Sequence, residues 1–191
     1  MNRWKINLVR IPLVLVALLG ALASFLDTPV TSAEQAEVKV TKGSWQDVQA
    51  FIKKNPDKVV VIDAWSTSCI PCMREFPNLV KLQAALPDDV VCVSFSCDYV
   101  GIKSKPPEFY EERVLKFLTK QKATFKNFLS TTEADTAYEE MGINSIPAVF
   151  VYGPDGKLSK KFDSESGEGS DEEPFTYKDV TAHVKQLLAS R

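Results

Sequence analysis

The sequence has little of several features that mark particular functions. Histidine occurs once among 191 residues, so a site built from several histidines cannot exist. Positive charge is not in excess, because 23 lysines and arginines face 25 acids, and this argues against a nucleic-acid partner. No internal repeat occurs, which excludes a solenoid. With 45% hydrophobic and 25% charged residues, the chain has the composition of one globular domain with appendages.

The longest uncharged run, residues 11–26, is shorter than the ~20 residues of a comfortable membrane-spanning helix and contains Pro12. Basic residues precede the run, and the small residues Thr31, Ser32 and Ala33 follow it. This order is typical of a secretory signal, so we predict a signal peptide over residues 1–33. An uncleaved membrane anchor through residues 11–26 is the alternative. Export would place residues 34–191 in the periplasm or cell envelope. Such oxidising compartments allow cysteines to form disulfides.

Apolar runs and helical periodicities alternate along the rest of the chain. Residues 58–65 and 90–96 are apolar runs of the kind that is buried on both faces of a sheet. The predicted order is β-α-β-α-β-α-β-α-β-β-α, with a tight turn over residues 154–156. The sequence therefore predicts an α/β domain with a mainly parallel central sheet, helices on both faces and an antiparallel edge hairpin.

Three local predictions concern the ends of these elements. A short alternating segment predicts the first strand over residues 37–41. Thr132 and Asp135 are spaced as the cap of a helix that ends at Gly142. Residues 163–174 hold six acids among serine and glycine, which predicts a mobile surface loop.

Cys69 and Cys72 form a C-x-x-C pair where the strand over residues 58–65 turns into a helix. A cysteine at a helix N-terminus lies beside unpaired N–H groups, which lower its pKa and favour the thiolate. Cys69 is therefore the predicted nucleophile, and Cys72, one turn further, the thiol that resolves a mixed disulfide. Pro71 stiffens the turn and removes one N–H donor. A structural disulfide or half of a metal site is the alternative interpretation of the pair.

Asp63 interrupts the apolar strand shortly before Cys69. A buried carboxylate is costly unless it is partnered or protonated, so its pKa should be raised. Such a group beside the cysteine pair suits a proton relay for Cys72. A carboxylate at an exposed strand end is the alternative. Pro147, before a predicted strand, is either a cis proline or an ordinary trans turn proline.

The other two cysteines, Cys92 and Cys97, fall on the second buried strand. Five strand residues span about 16 Å, whereas a disulfide needs Cα atoms within ~7 Å, so these cysteines should not pair. The apolar residues between them indicate a buried strand and not a zinc-binding turn, and we expect no metal and no cofactor. Cys92 is predicted to be a small buried residue. Cys97 ends the strand and is a candidate third thiol near the pair, since parallel strands end at one sheet edge.

Together these residues resemble the thioredoxin superfamily over residues 37–191. The segment Asp63-Ala64-Trp65, the C-x-x-C pair and Ile146-Pro147 follow in that family's order and spacing. The hallmark C-x-P-C-x-x-E-x-P of the exported TlpA/ResA-type members is present as Cys69, Pro71, Cys72, Glu75 and Pro77. One departure is Ser68, because the family usually has tryptophan before the first cysteine, and substrate preference should differ accordingly.

The resemblance implies an exported thiol–disulfide oxidoreductase that reduces disulfides of client proteins, takes electrons from a membrane donor and serves cell redox homeostasis. It implies that Asp63 is the buried acid–base group and that Glu75 tunes the cysteine pair. Pro147 would be a cis proline facing the disulfide, and Ile146 would offer backbone hydrogen bonds to a substrate strand. Trp65 and Pro71 would support the site.

Two other functions stay open from the sequence. One is a binding module of the same fold whose disulfide is structural. The other is a disulfide oxidant or isomerase, which differs from a reductase in reduction potential and not in the C-x-x-C spacing.

Overall fold

The computed structural model of the chain describes residues 36–163 and 175–190. The predicted signal peptide and most of the predicted acidic loop lie outside these residues. Within the described ranges, no helix has both the length and the apolar character needed to cross a membrane.

Strands and helices alternate in the predicted order over the described residues. The strands are β1 (Thr41–Gly43), β2 (Val59–Trp65), β3 (Val90–Ser96), β4 (Lys126–Ser130), β5 (Ala148–Tyr152) and β6 (Leu158–Phe162). The helices are α1 (Trp45–Lys53), α2 (Ile70–Ala85), α3 (Pro107–Gln121), α4 (Ala134–Met141) and α5 (Tyr177–Ala189).

The strands form one six-stranded sheet with the order β1-β4-β3-β2-β5-β6. The first four strands in this order run parallel, and β5 runs antiparallel to both β2 and β6. The predicted α/β class is confirmed, and the antiparallel part extends one strand further inward than the edge hairpin. Every residue of β2 is buried, because this strand is central and covered on both faces.

Alternate residues of β2 supply two hydrophobic clusters, one on each face of the sheet. Val61 and Trp65 pack with residues of α2, α3 and α5. Val60 and Ile62 pack with residues of α1 and α4. Each fully buried aliphatic side chain of this size contributes about 1.5–3 kcal/mol to folding. The period of two therefore places Asp63 on the face that α2 and α5 cover.

The first strand differs from the prediction. The residues that pair are 41–43 and not 37–41, because β4 offers partners only to Thr41, Lys42 and Gly43. The Phe128 side chain packs against this strand, and a Cβ atom at Gly43 would lie 2.9 Å from its ring. Strand pairing, which a single alternating segment does not encode, decides this boundary.

The predicted cap of α4 is wrong. The helix begins one residue after Glu133, which makes no side-chain capping bond. The Ala134 N–H instead donates to the Tyr99 carbonyl at 2.8 Å, so a tertiary contact satisfies the first turn. The predicted end is confirmed, since Gly142 adopts the left-handed conformation at φ 67°.

Asp163, the first residue of the predicted acidic surface loop, belongs to the folded body. It is buried, and its carboxylate lies 2.7 Å from the Lys161 ammonium group. The prediction was wrong for this residue because a nearby lysine neutralises its charge, which the acid-rich composition does not reveal.

Candidate active site

Cys69 and Cys72 form a disulfide at the start of α2, with their Cα atoms 5.3 Å apart. Cys69 is the extended N-cap residue, and Pro71 follows in the first turn, where its missing N–H is no loss. The Cys72 N–H donates to Cys69 Sγ at 3.3 Å. The predicted position of the pair at a helix N-terminus is therefore confirmed.

The two sulfurs differ in access. Cys69 is partly exposed, whereas Cys72 is 2% exposed. Cys69 borders an open groove of about 480 Å³ that is also lined by Ser66, Ser68 and Tyr138. A thiolate or disulfide from outside can thus reach Cys69 and not Cys72.

The turn before β5 contacts both cysteines. The Ile146–Pro147 peptide bond is cis, as the resemblance implies. The Ile146 carbonyl lies 3.9 Å from Cys69 Sγ. Pro147 lines a small cavity together with Cys72. Ile146 and Pro147 therefore lie beside the disulfide.

Asp63 is buried behind Cys72 with 3% of its surface exposed. The pKa of its carboxyl is raised from the ordinary 3.8 to about 7, mainly by burial and to a smaller extent by the charge of Glu75. A hydrogen bond from the Tyr177 hydroxyl acts in the opposite direction. The alternative of a carboxylate at an exposed strand end is excluded. A group with a pKa near neutrality can both accept and return a proton.

A cavity of about 20 Å³ joins Asp63, Cys72 and Glu75. This volume exceeds the roughly 10–15 Å³ that one water molecule requires. The two carboxyl groups and the buried cysteine thus line one common cavity. Glu75 is partly exposed and accepts from the Asn78 side chain at 3.1 Å.

Trp65, at the end of β2, supports α2 from below. It is fully buried and packs its ring 4.9 Å from Phe76 and 4.7 Å from Phe117. Aromatic pairs at these distances stabilise by about 0.5–1.5 kcal/mol beyond the burial of their area. Trp65 thereby fixes the helix that carries the cysteines.

Tyr177 is a site residue that the sequence reasoning missed. It begins α5, is 5% exposed and donates its hydroxyl hydrogen to Asp63 Oδ2. A signal was available, because Tyr177 lies on the same helical face as the apolar Val180 and Val184. A tyrosine on a buried face needs a hydrogen-bond partner, although the sequence does not name it.

Asp98 is a second missed residue, and it holds the loop that precedes Cys69. Its carboxylate accepts from the Thr67 N–H at 2.9 Å, from the Thr67 hydroxyl and from the Ser96 hydroxyl at 2.7 Å. The Arg113 guanidinium lies 2.5 Å from the same group. The end of β3, the middle of α3 and the loop before Cys69 are thus joined through one buried carboxyl group.

Cys92 and Cys97 are free and buried, as the strand spacing predicts. Burial raises the pKa of both thiols. Cys97 lies in the hydrophobic cluster under α1 and α4, whereas Cys72 lies in the cluster under α2. Cys97 does not line either cavity beside the disulfide, so the structure does not bring it together with the pair.

The mixed sheet, the disulfide at the N-terminus of α2 and the cis proline beside it define a thiol–disulfide oxidoreductase of the thioredoxin type. The chain belongs to the Thioredoxin-like family, which it matches over residues 56–158.

Solved structures with the same fold come from several bacteria. One is a thiol:disulfide interchange protein of the thioredoxin family from Chlorobium tepidum TLS, with 21% identity, a TM-score of 0.53, and 71% of this chain and 83% of that chain covered. Another is a DsbF homologue from Corynebacterium diphtheriae, with 18% identity, a TM-score of 0.53 and coverage of 71% and 76%. A secreted Mycobacterium tuberculosis disulfide oxidoreductase homologous to Escherichia coli DsbE has 18% identity, a TM-score of 0.51 and coverage of 71% and 86%. No curated protein matches the chain.

Proposed function

We propose that this chain is an exported enzyme that reduces disulfides of client proteins through the Cys69–Cys72 dithiol. The main support is that the two cysteines differ in their access to other molecules. Cys69 borders an open groove, and Cys72 is buried in the cavity that Asp63 also lines. This arrangement suits an external attack at one sulfur and a proton-coupled resolution at the other.

In the first step, the Cys69 thiolate attacks one sulfur of a client disulfide. A bond forms between Cys69 Sγ and that sulfur, the client's S–S bond breaks, and the other client sulfur leaves as a thiolate that takes up a proton from water. Ile146 and Pro147 would bind the client chain beside Cys69, with the Ile146 backbone as hydrogen-bond partner. Ser68 lines the groove at the position where the family usually has a tryptophan, so this groove accepts bulkier or more polar neighbours of the client cysteine.

In the second step, Cys72 resolves the mixed disulfide. Its thiol proton passes to the Asp63 carboxylate, and the Cys72 thiolate attacks Cys69 Sγ. The client's second sulfur leaves as a thiolate and takes up a proton. The client has then gained two electrons and two protons, and the enzyme holds the Cys69–Cys72 disulfide. A dithiol donor at the membrane would reduce it again.

The charges around the disulfide favour reduction over oxidation. Two acids, Asp63 and Glu75, line the cavity beside Cys72. Among the described residues that line this cavity and the groove at Cys69, none is a lysine, arginine or histidine. Cations stabilise thiolates, and strong oxidants owe their potential to a stabilised reduced form. Acids in their place favour the disulfide form, which is what a reductase needs.

Export to the periplasm or cell envelope is part of the proposal. Its support is the sequence of residues 1–33, with basic residues, an apolar run and small residues in that order. One solved structure of this fold is a secreted disulfide oxidoreductase. Anchoring through residues 11–26 would place the enzyme beside a membrane donor.

The equilibrium reduction potential of the full chain against dithiothreitol and glutathione tests the direction. A value near or below roughly −250 mV is expected, since thioredoxin lies near −270 mV. A value near roughly −120 mV would mark an oxidant and overturn the proposal. A pair that does not cycle at all would instead indicate a binding module.

Cysteine variants test the assignment of the two sulfurs. Cys69→Ser is expected to abolish reduction of insulin disulfides, whereas Cys72→Ser is expected to accumulate a mixed disulfide at Cys69. Cys97→Ala is the matched control, because Cys97 lies on the other face of the sheet, and turnover should persist. A folded Cys97→Ala protein without turnover would make Cys97 a third working thiol.

A further inference from the structure

Tyr177 forms a hydrogen bond with only one of the two carboxylate oxygens of Asp63. Its hydroxyl donates to Asp63 Oδ2, and both side chains are buried. The other carboxylate oxygen, Oδ1, is buried without a hydrogen-bond partner among the described residues. A buried polar atom without a partner is uncommon and calls for an explanation.

The cavity beside Cys72 supplies that explanation. Asp63, Cys72 and Tyr177 all line it, and its volume of about 20 Å³ accommodates one water molecule. Since the phenol occupies Oδ2, Oδ1 is the oxygen free to exchange a proton with Cys72. We propose that Tyr177 is a positioning residue that holds Asp63 through Oδ2 and thereby reserves Oδ1 for the proton of Cys72. The inference rests on the proposed role of Asp63 as proton acceptor.

The step in question is the resolution of the mixed disulfide. The Cys72 S–H bond breaks, its proton goes to Asp63 Oδ1 directly or through one water, and the Cys72 thiolate forms its bond to Cys69 Sγ. The Cys69–client bond breaks, and the client sulfur leaves with the electron pair. The Tyr177 hydroxyl keeps its own proton throughout, because burial and the neighbouring Asp63 raise the pKa of the phenol.

The hydrogen bond from Tyr177 also affects how readily Asp63 accepts a proton. A hydrogen bond to the charged carboxylate stabilises that form and so opposes the effect of burial, and the pKa of Asp63 lies at about 7 with the hydrogen bond in place. Of the other ionisable groups, Glu75 on α2 raises the pKa of Asp63, and Cys72 lines the same cavity. The charge of Asp63 in turn raises the pKa of two free thiols, Cys92 on β3 and Cys97 after it. Burial raises the pKa of the two free thiols, which stay neutral near pH 7.

Dithionitrobenzoate separates the two chemical steps in the full, reduced chain. Attack by Cys69 releases one nitrothiobenzoate and leaves a mixed disulfide, and attack by Cys72 releases the second. Rapid mixing over a range of pH gives the rate of each phase and its apparent pKa. Tyr177→Phe removes only the hydroxyl group. The second phase should then shift its apparent pKa upward by about one unit and slow several-fold near pH 7. The first phase should be unchanged.

Tyr110→Phe is the matched control. Tyr110 is 3% exposed, and it lies in the same hydrophobic cluster as Tyr177. The control should leave the second-phase pKa in place. An unshifted second phase in Tyr177→Phe, or an equal shift in Tyr110→Phe, would overturn the inference.

Asp63→Asn distinguishes failure of the inference from failure of the proposed function. If Asp63→Asn leaves the second phase unchanged, the proposed role of Asp63 fails, and Tyr177 has nothing to position. If Asp63→Asn slows the second phase, then Tyr177→Phe should add no further effect in that background. Additive effects would make Tyr177 a structural residue only.

A second variant covers the case in which Tyr177→Phe does not fold. An ortho-fluorinated tyrosine at position 177 keeps the ring and hydroxyl but is a more acidic, stronger donor. It should move the second-phase pKa downward, opposite to Tyr177→Phe. No movement, or an upward one, would contradict the inference.

Discussion

Asp63 and Asp98 are two buried carboxylates near the cysteine pair with opposite surroundings. Asp98 accepts from the backbone and hydroxyl of Thr67, from Ser96 and from Arg113. Asp63 accepts from Tyr177 alone among the described residues. Through these donors, Asp98 fixes the loop before Cys69. The single donor leaves Asp63 free to change its protonation.

We expect Asp98→Asn to destabilise the protein by about 2 kcal/mol. The amide loses the charge that strengthens its hydrogen bonds to Thr67 and Arg113, and one of its NH₂ hydrogens would face existing donors. Asp88→Asn is the control, because Asp88 is an exposed acid in the turn before β3, and a change within ~0.5 kcal/mol is expected. Urea unfolding measures both. Equal effects of the two substitutions would show that Asp98 does not hold this loop.

Asp63 should make folding stability depend on pH. The unfolded carboxyl titrates near its ordinary pKa of 3.8 and the folded one near 7. Between these values, the folded state keeps a proton that the unfolded state has lost. The stabilising contribution is therefore full below about pH 4 and is lost as the pH rises through about 7, a difference of about 4 kcal/mol.

Urea unfolding of the oxidised chain and of Asp63→Asn at matched pH values measures this dependence. The asparagine does not titrate, and the remaining acids are common to both proteins. The stability of the wild type relative to the variant should fall by ~4 kcal/mol between about pH 4 and pH 8. A constant difference would show that the pKa of Asp63 is the same in the folded and unfolded states.

Single residues were predictable from the sequence where the reason for them is local. Cys69 follows a buried strand and opens a helix, and Asp63 stands in an apolar run, so a local pattern places each. Tyr177 and Asp98 owe their positions to contacts with residues 114 and 31 positions away along the chain, respectively. No spacing rule connects such distant residues, and only the packed structure pairs them.

Helix α5 connects its own stability to the active site, because its first residue is Tyr177. Thr176 caps the helix by accepting from the Lys178 N–H, and the Asp179 carboxylate accepts from the Thr176 N–H at 2.8 Å. Helix α1 begins with the same arrangement, in which Ser44 and Asp47 take these roles. The two helices lie on opposite faces of the sheet and so offer a matched pair.

Thr176→Ala and Ser44→Ala should each cost about 1 kcal/mol, the usual loss for removal of a capping side chain. Only Thr176→Ala should also slow the second nitrothiobenzoate phase, because fraying at the start of α5 disturbs the bond between Tyr177 and Asp63. Urea unfolding and the two-phase assay check both parts. An equal slowing in Ser44→Ala would indicate a general loss of stability as the cause, and not a disturbed bond between Tyr177 and Asp63 at the start of α5.

Elements with strong internal patterns were predicted closely, and elements that depend on pairing were not. The apolar run over residues 58–65 locates β2 to within one residue. The start of β1 depends on β4, and the start of α4 depends on the Tyr99 carbonyl. In both cases the residue that sets the boundary lies far away along the chain.

The two hydrophobic clusters divide the molecule into a reactive face and a supporting face. Cys72, Trp65 and Tyr177 belong to the cluster under α2, α3 and α5. Cys97 and the rings of Trp45 and Phe95 belong to the cluster under α1 and α4. Reduction or formation of the disulfide should therefore affect the packing first on the face of the sheet that α2 and α5 cover.

The oxidised protein should be more stable than the reduced protein as a whole. The disulfide closes a loop of sequence separation 3, and restricting the unfolded chain over such a short loop stabilises the folded state by about 2 kcal/mol. In the reduced protein, the N–H groups at the start of α2 favour a Cys69 thiolate, but Asp63 and Glu75 oppose negative charge beside Cys72. We therefore expect most of this stabilisation to remain as the difference in folding stability between the oxidised and the reduced protein.

Urea unfolding with and without dithiothreitol measures the difference, and Cys69→Ser/Cys72→Ser controls for effects of the reductant on Cys92 and Cys97. A higher midpoint for the oxidised chain is expected, with no change in the double variant. Folding and reduction form a closed cycle, so each 1.4 kcal/mol of extra stability in the oxidised form lowers the reduction potential by about 30 mV relative to the unfolded dithiol. A reduced form that is the more stable would raise the potential instead. The molecule would then donate disulfides to its clients, and the acids beside Cys72 would not be what sets the direction of its chemistry.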